Sequence, residues 1–186
     1  MEKKIGFAIR MIVAAGLSCL FYVLLHETGH MIVMLMNGDS ITEFDIISLR
    51  PHVRGEGGTY TDLWSMVKLA AGSGLPFTVS LLCSLFFRRN IKNTFYRIFS
   101  FVFCVSNIGS MMTWVVSPFA YVNGIADKND DTCRFLDIFV FYHDPLRVSL
   151  TALILVVIAG ILVWKRGLLR SMMEAVKTLK AQSAQR

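Results

Sequence analysis

Charge is scarce in this chain: 17% of its 186 residues are Asp, Glu, Lys or Arg, against about 25% in an ordinary soluble domain. With 54% apolar residues it is too hydrophobic to stay disordered, and so large an apolar surplus requires lipid. The four cysteines, Cys19, Cys83, Cys104 and Cys133, form no C-x-x-C pair, so neither a thiol-ligated zinc site nor a disulfide framework is signalled. The net charge of +6 comes without the aromatic-interleaved basic face of a nucleic-acid binder, and no nucleic-acid partner is expected. Internal repeats and low-complexity segments are absent too.

What is present is a set of four long apolar runs, at 11–36, 66–87, 98–121 and 148–164. At about 1.5 Å per residue, each can cross a hydrocarbon core of roughly 30 Å as a helix, which satisfies its own backbone groups there. The expected fold is therefore an all-α, multi-pass integral membrane protein of about four transmembrane helices. Residues 1–165 form one domain and 166–186 a basic cytoplasmic tail. Lys3 and Lys4 before the first run resemble the start of a secretory signal. That run continues to Met36 without a small-x-small cleavage site, so it is read as a span.

The segments between the runs alternate in sign. Residues 88–97 carry Arg88, Arg89, Lys92 and Arg97 and no acid, whereas 37–65 and 122–146 are acidic. By the positive-inside rule both termini and the 88–97 loop are cytoplasmic, and the acidic loops lie outside. Within the first acidic loop, Ile41–Leu49 partly alternates, with Phe44 and Ile46 against Glu43 and Asp45. Pro51 interrupts it, and the glycine-rich His52–Tyr60 returns, so a small β-hairpin at the membrane surface is expected. Leu168–Ala184 reads as a short amphipathic helix with Arg170, Lys177 and Lys180 exposed toward anionic lipid.

The informative motif is His26-Glu27-Thr28-Gly29-His30. Residues four apart share a helix face, so His26 and His30 can chelate one metal ion while Glu27 reaches a water beside it as general base. Counted from Met36, His30 and His26 lie about 9 and 15 Å along the span. Ionisable groups at such depth are costly unless they face protein or a wet cavity. A catalytic zinc needs a third protein ligand, for which Asp130, Asp131, His52, Glu56 and His143 are candidates on the same side. Asp130 and Asp131 can equally serve as helix caps. Asn107, inside the third run, offers an amide that can steady an oxyanion or bond a neighbouring helix. Gly29 permits close approach of another helix or of substrate.

In these features the chain resembles the site-2 protease family of intramembrane zinc metalloproteases. The likeness runs in pieces from Phe21 to Leu136: the H-E-T-G-H helix, the glycine-rich hairpin region, Ala71-Gly72-Ser73-Gly74-Leu75-Pro76 opening a span, and Asp131-Thr132-Cys133-Arg134-Phe135-Leu136. The resemblance implies one zinc ion held by His26, His30 and Asp131, with Asp130 the alternative third ligand, and Glu27 as the catalytic base. It also implies membrane-anchored protein substrates. The proline and glycine usual around the family's aspartate are missing here. A non-catalytic zinc-binding scaffold and a small metal or ion carrier are the rival readings, since intramembrane His and Asp also mark ion paths.

Overall fold

A computed structural model describes residues 2–141 and 144–184. It contains α1 (Glu2–Met36), a hairpin of β1 (Ser40–Asp45) and β2 (His52–Glu56), α2 (Asp62–Leu85), α3 (Thr94–Ser110), α4 (Met112–Val122), α5 (Asp131–Phe139), α6 (Leu146–Arg166) and α7 (Leu168–Ala184). Among the described residues, four stretches are long and apolar enough to cross a membrane: Ala8–Met36, Asp62–Leu85, Thr94–Val122 and Leu146–Arg166. The chain is a multi-pass, all-α membrane protein with a two-stranded sheet after its first helix.

The second and third spans begin earlier than their apolar runs because polar residues cap them. Thr61 Oγ1 accepts from Trp64 N at 3.3 Å, so α2 starts at Asp62 rather than at 66. Asn93 Oδ1 accepts from Tyr96 N at 3.0 Å and starts α3 at Thr94 rather than at 98. Each cap satisfies an amide that the first turn leaves open. The third span is one run in sequence but two helices in space, with Met111 between α3 and α4. Ala71–Pro76 lies in the middle of α2 and does not open it.

Lipid gives helices no hydrophobic reason to associate, so small side chains and interhelical bonds must hold them. Along α6, Ser149, Ala152 and Ala159 are buried, and the Ser149 hydroxyl donates to the Val115 carbonyl of α4 at 2.6 Å. Phe95, Phe99 and Phe103 stack down α3 at centroid spacings of 6.0 and 5.6 Å. Phe21 of α1 meets Phe99 and Phe103 edge-on, the arrangement the ring quadrupoles favour. Large residues such as Ile12, Val116 and Ile158 point outward, toward the acyl chains.

The sheet pairs Ser40 with Glu56 and Asp45 with His52, antiparallel, with an irregularity between Ile41 and Glu43. Both strands are shorter than the alternation suggested. Asp45 Oδ1 accepts from Ile47 N at 2.9 Å and Ser48 N at 3.0 Å, which turns the chain before Leu49 and holds the Asp45 carboxyl below its usual range. Asp39 anchors the base of the hairpin through Gly58 N at 2.8 Å and the Tyr60 hydroxyl. Lys68 Nζ then rests 4.4 Å over the Tyr60 ring, fastening the hairpin to α2 by a cation–π contact.

At the opposite end two arginines cap each other's helices. Arg89 donates to the Lys165 and Arg166 carbonyls at the end of α6. Arg166 donates to Ser84 O at 3.3 Å and Phe87 O at 3.5 Å at the end of α2. Gly167 (φ 75°) leaves room for the Arg89 guanidinium beside it. Helix C-terminal carbonyls carry partial negative charge and lack intrahelical partners, and hydrogen bonds to a charged group contribute about 1.5–3 kcal/mol. Arg89→Ala therefore lowers the thermal unfolding midpoint by several degrees with helix content unchanged. Lys92→Ala, on the same loop, leaves the midpoint in place; circular dichroism melts in detergent compare the two.

Candidate metal centre

Helical phase stacks His26 over His30 on one side of α1. Their rings meet edge-on with centroids 4.8 Å apart, and their Nε2 atoms stand 3.1 Å from each other. Asp131 enters from the first turn of α5, its Oδ2 3.2 Å from His26 Nε2 and 2.9 Å from His30 Nε2. These three are the His, Cys, Asp and Glu groups that converge closely enough to hold a metal ion among the described residues.

Hydrogen bonds behind the rings set which nitrogen is free. His30 Nδ1 donates to the Lys68 carbonyl at 2.8 Å. A carbonyl only accepts, so Nδ1 carries the hydrogen and the neutral ring presents an Nε2 lone pair to the centre. The Tyr22 hydroxyl lies 3.5 Å from His26 Nδ1; a hydroxyl can donate or accept, so this contact fits either tautomer of the second ring. His26 Nε2, His30 Nε2 and an Asp131 carboxylate oxygen thus face one another, an arrangement a cation can complete. Bonds of about 2.0–2.1 Å in a tetrahedron place ligand atoms about 3.3–3.4 Å apart, and the three separations here fall a few tenths of an ångström short of that spacing.

Glycine makes the convergence possible. A Cβ on Gly72 would strike the imidazoles of both His30 and His26, and one on Gly29 would strike the Ala71 backbone. The two helices thus cross backbone to backbone, with the rings filling the space a side chain at 72 would take. Glu27, only 6% exposed, lines the same cavity of about 470 Å³ as the two histidines and Asp131. Its wall also includes Lys68, Arg134 and the hairpin residues Pro51, His52 and Val53, so the polar groups face one another and not lipid.

The other candidates stand outside the three-residue group, although Asp130 and His52 share its cavity. Asp130 is the residue before α5, makes no side-chain cap bond, and accepts from the Ser117 hydroxyl at 3.4 Å; Asp131 meets the histidines instead. His52 lines the cavity but sits 3.1 Å from Glu43 Oε2. Glu56 is exposed at the end of β2, and His143 is outside the described residues. Asn107 is fully buried in α3, donating through Nδ2 to the Phe103 carbonyl at 2.7 Å, and does not line this cavity. Three contributors escaped sequence reasoning. Tyr22 stands four residues before His26, a spacing that marks it in hindsight. Gly72 was visible only as part of an assumed helix start, and the Lys68 carbonyl carries no sequence signal at all.

Comparisons with protein-family models, with curated proteins and with solved structures find no match. The centre makes its own prediction about the two aspartates. If the group holds a metal ion such as zinc, Asp131→Asn weakens its binding by at least about a hundredfold, beyond the range typical of losing an outer-shell partner, whereas Asp130→Asn changes it little. Competition titration with a chromogenic zinc chelator measures both.

Proposed function

We propose that this chain is an intramembrane zinc metalloendopeptidase that hydrolyses peptide bonds of membrane-anchored proteins. The supporting observation is the buried carboxylate of Glu27 in one cavity with the His26–His30–Asp131 donor set. Two neutral imidazoles and one carboxylate are a donor set that suits zinc and leaves a fourth position for water. Bound there, zinc supplies a Lewis acid that polarises a carbonyl and brings the pKa of water down to about 7.

The chain's own residues do the rest. His26, His30 and Asp131 would hold the ion, while the Lys68 carbonyl keeps His30 in the ligating tautomer. Glu27 takes a proton from the attacking water and returns it to the leaving amine, the usual work of a base beside two histidines at this spacing. A helical substrate shields its peptide bonds, so it must unwind before cleavage, and segments containing Gly or Pro unwind at least cost. Strand β2 lines the cavity through His52 and Val53, which makes the hairpin edge the natural place to hold an unwound segment by strand addition. Asn107 is given no part in this scheme because it does not line the cavity.

Both termini and the 88–97 loop are assigned to the cytoplasm. The basic segments gather at one end of the bundle, through Arg89 with Lys165 and Arg166. The acidic hairpin and the start of α5 share the cavity at the other. Cytoplasmic retention of Lys and Arg orients the first end inward. The centre then lies toward the outer face, opposite to the cytosolic-side cleavage usual in the site-2 proteases.

Two experiments test these assignments. Glu27→Gln abolishes cleavage of a model transmembrane substrate in proteoliposomes yet retains zinc near one equivalent by metal analysis, and His30→Ala loses both. Metal flux into liposomes without proteolysis would instead establish a carrier. For orientation, Asp45→Cys reacts with an impermeant maleimide from outside intact cells and Lys92→Cys only in inverted vesicles, each in a background freed of native cysteines. The reverse pattern would turn the molecule over.

A further inference from the structure

The basic segment after the fourth span is no loose tail. Helix α7 buries Leu168, Ser171 and Ala175, with Ala175 packed against Ala14 of α1 and Ile98 of α3. Ile98 lies about one helical turn inside the span that starts at Thr94, and α7 begins two residues after the span that ends at Arg166. Helix α7 therefore crosses the bundle at the level where hydrocarbon gives way to headgroups.

Its other apolar face has no protein cover. Leu169 and Met173 are 42% and 49% exposed, and Trp164 just before them is 72% exposed. With Arg170 they line a cleft of about 300 Å³ between α6 and α7. This face continues the outward row of Ile154, Ile158 and Ile161 on α6, the surface that meets lipid in a spanning helix. Arg170 and Lys177, both exposed, lie two turns apart on α7 beside it. The one acid in segments 86–97 and 164–179, Glu174, is paired with Arg97 at 3.3 Å. Among the described residues, neither Arg170 nor Lys177 has an acidic partner.

We propose that α7 and Trp164 form an interfacial binding site for anionic phospholipid, a site independent of the metal centre. Leu169, Met173 and the indole of Trp164 lie among the upper acyl chains, as aromatic and aliphatic residues do at this depth. Arg170 and Lys177 hold phosphate headgroups of the leaflet, each contributing an attraction that neutral lipid does not return.

The test uses the full-length protein in a neutral detergent, titrated separately with phosphatidylglycerol and phosphatidylcholine, bound lipid being counted by native mass spectrometry. Phosphatidylglycerol binds on the order of tenfold more tightly or better, and Arg170→Gln with Lys177→Gln brings the two lipids close to parity, at about fivefold per charge. Equal binding of the two lipids by the unmodified protein overturns the proposal whether or not the variant folds. So does a preference that survives in the folded double variant, or full displacement of the lipid by millimolar inorganic phosphate, which marks a simple anion site. A disulfide between Leu169→Cys residues of two copies in phosphatidylcholine nanodiscs, at a yield unchanged by phosphatidylglycerol, assigns the face to a second copy and overturns it as well.

Discussion

The crossing of α1 and α2 at Gly29 and Gly72 is the contact on which the centre depends. A side chain at 72 would take the space of the two imidazoles, and one at 29 would push the Ala71 backbone away. Lys68 lies one turn before Gly72, so the same approach carries its carbonyl to His30 Nδ1. In hydrocarbon, histidine and glutamate side chains are tolerated only where protein or water receives them. The glycine pair meets that condition for α1 by pressing its polar turn against another helix.

Much of this was legible in the sequence, for physical reasons that differ from element to element. The spans could be read because lipid imposes one demand on every exposed residue, and His26 and His30 because chelation fixes their helical spacing. The span ends could not be read from hydropathy, since Thr61 and Asn93 draw polar residues into the first turns. Nor could the break at Met111, where the apolar run is continuous. Asp131 entered through a resemblance in its flanking residues, because no spacing rule links it to α1. The packing of α7 was missed for a related reason: its buried face is built from Leu168, Ser171 and Ala175, too small and mixed to stand out beside its charges.

The two ends of the bundle are built differently. One is closed by guanidinium groups, with Arg89 and Arg166 bonded to the carbonyls that finish α6 and α2. The other is open: the hairpin, Lys68 and Arg134 surround a cavity instead of filling it. A cavity of charged and polar walls forgoes the close packing that holds membrane helices together. The rest of the bundle compensates through the Phe95–Phe103 stack and the small residues of α6.

The three candidate donors come from the first helix and from the short helix that follows the third span. During biosynthesis His26 and His30 emerge long before Asp131, so the early chain carries two of the three donors. The third joins them only when α5 docks against α2, late in membrane insertion. The trio is thereby assembled only in a nearly finished bundle, and a chain abandoned halfway never brings it together.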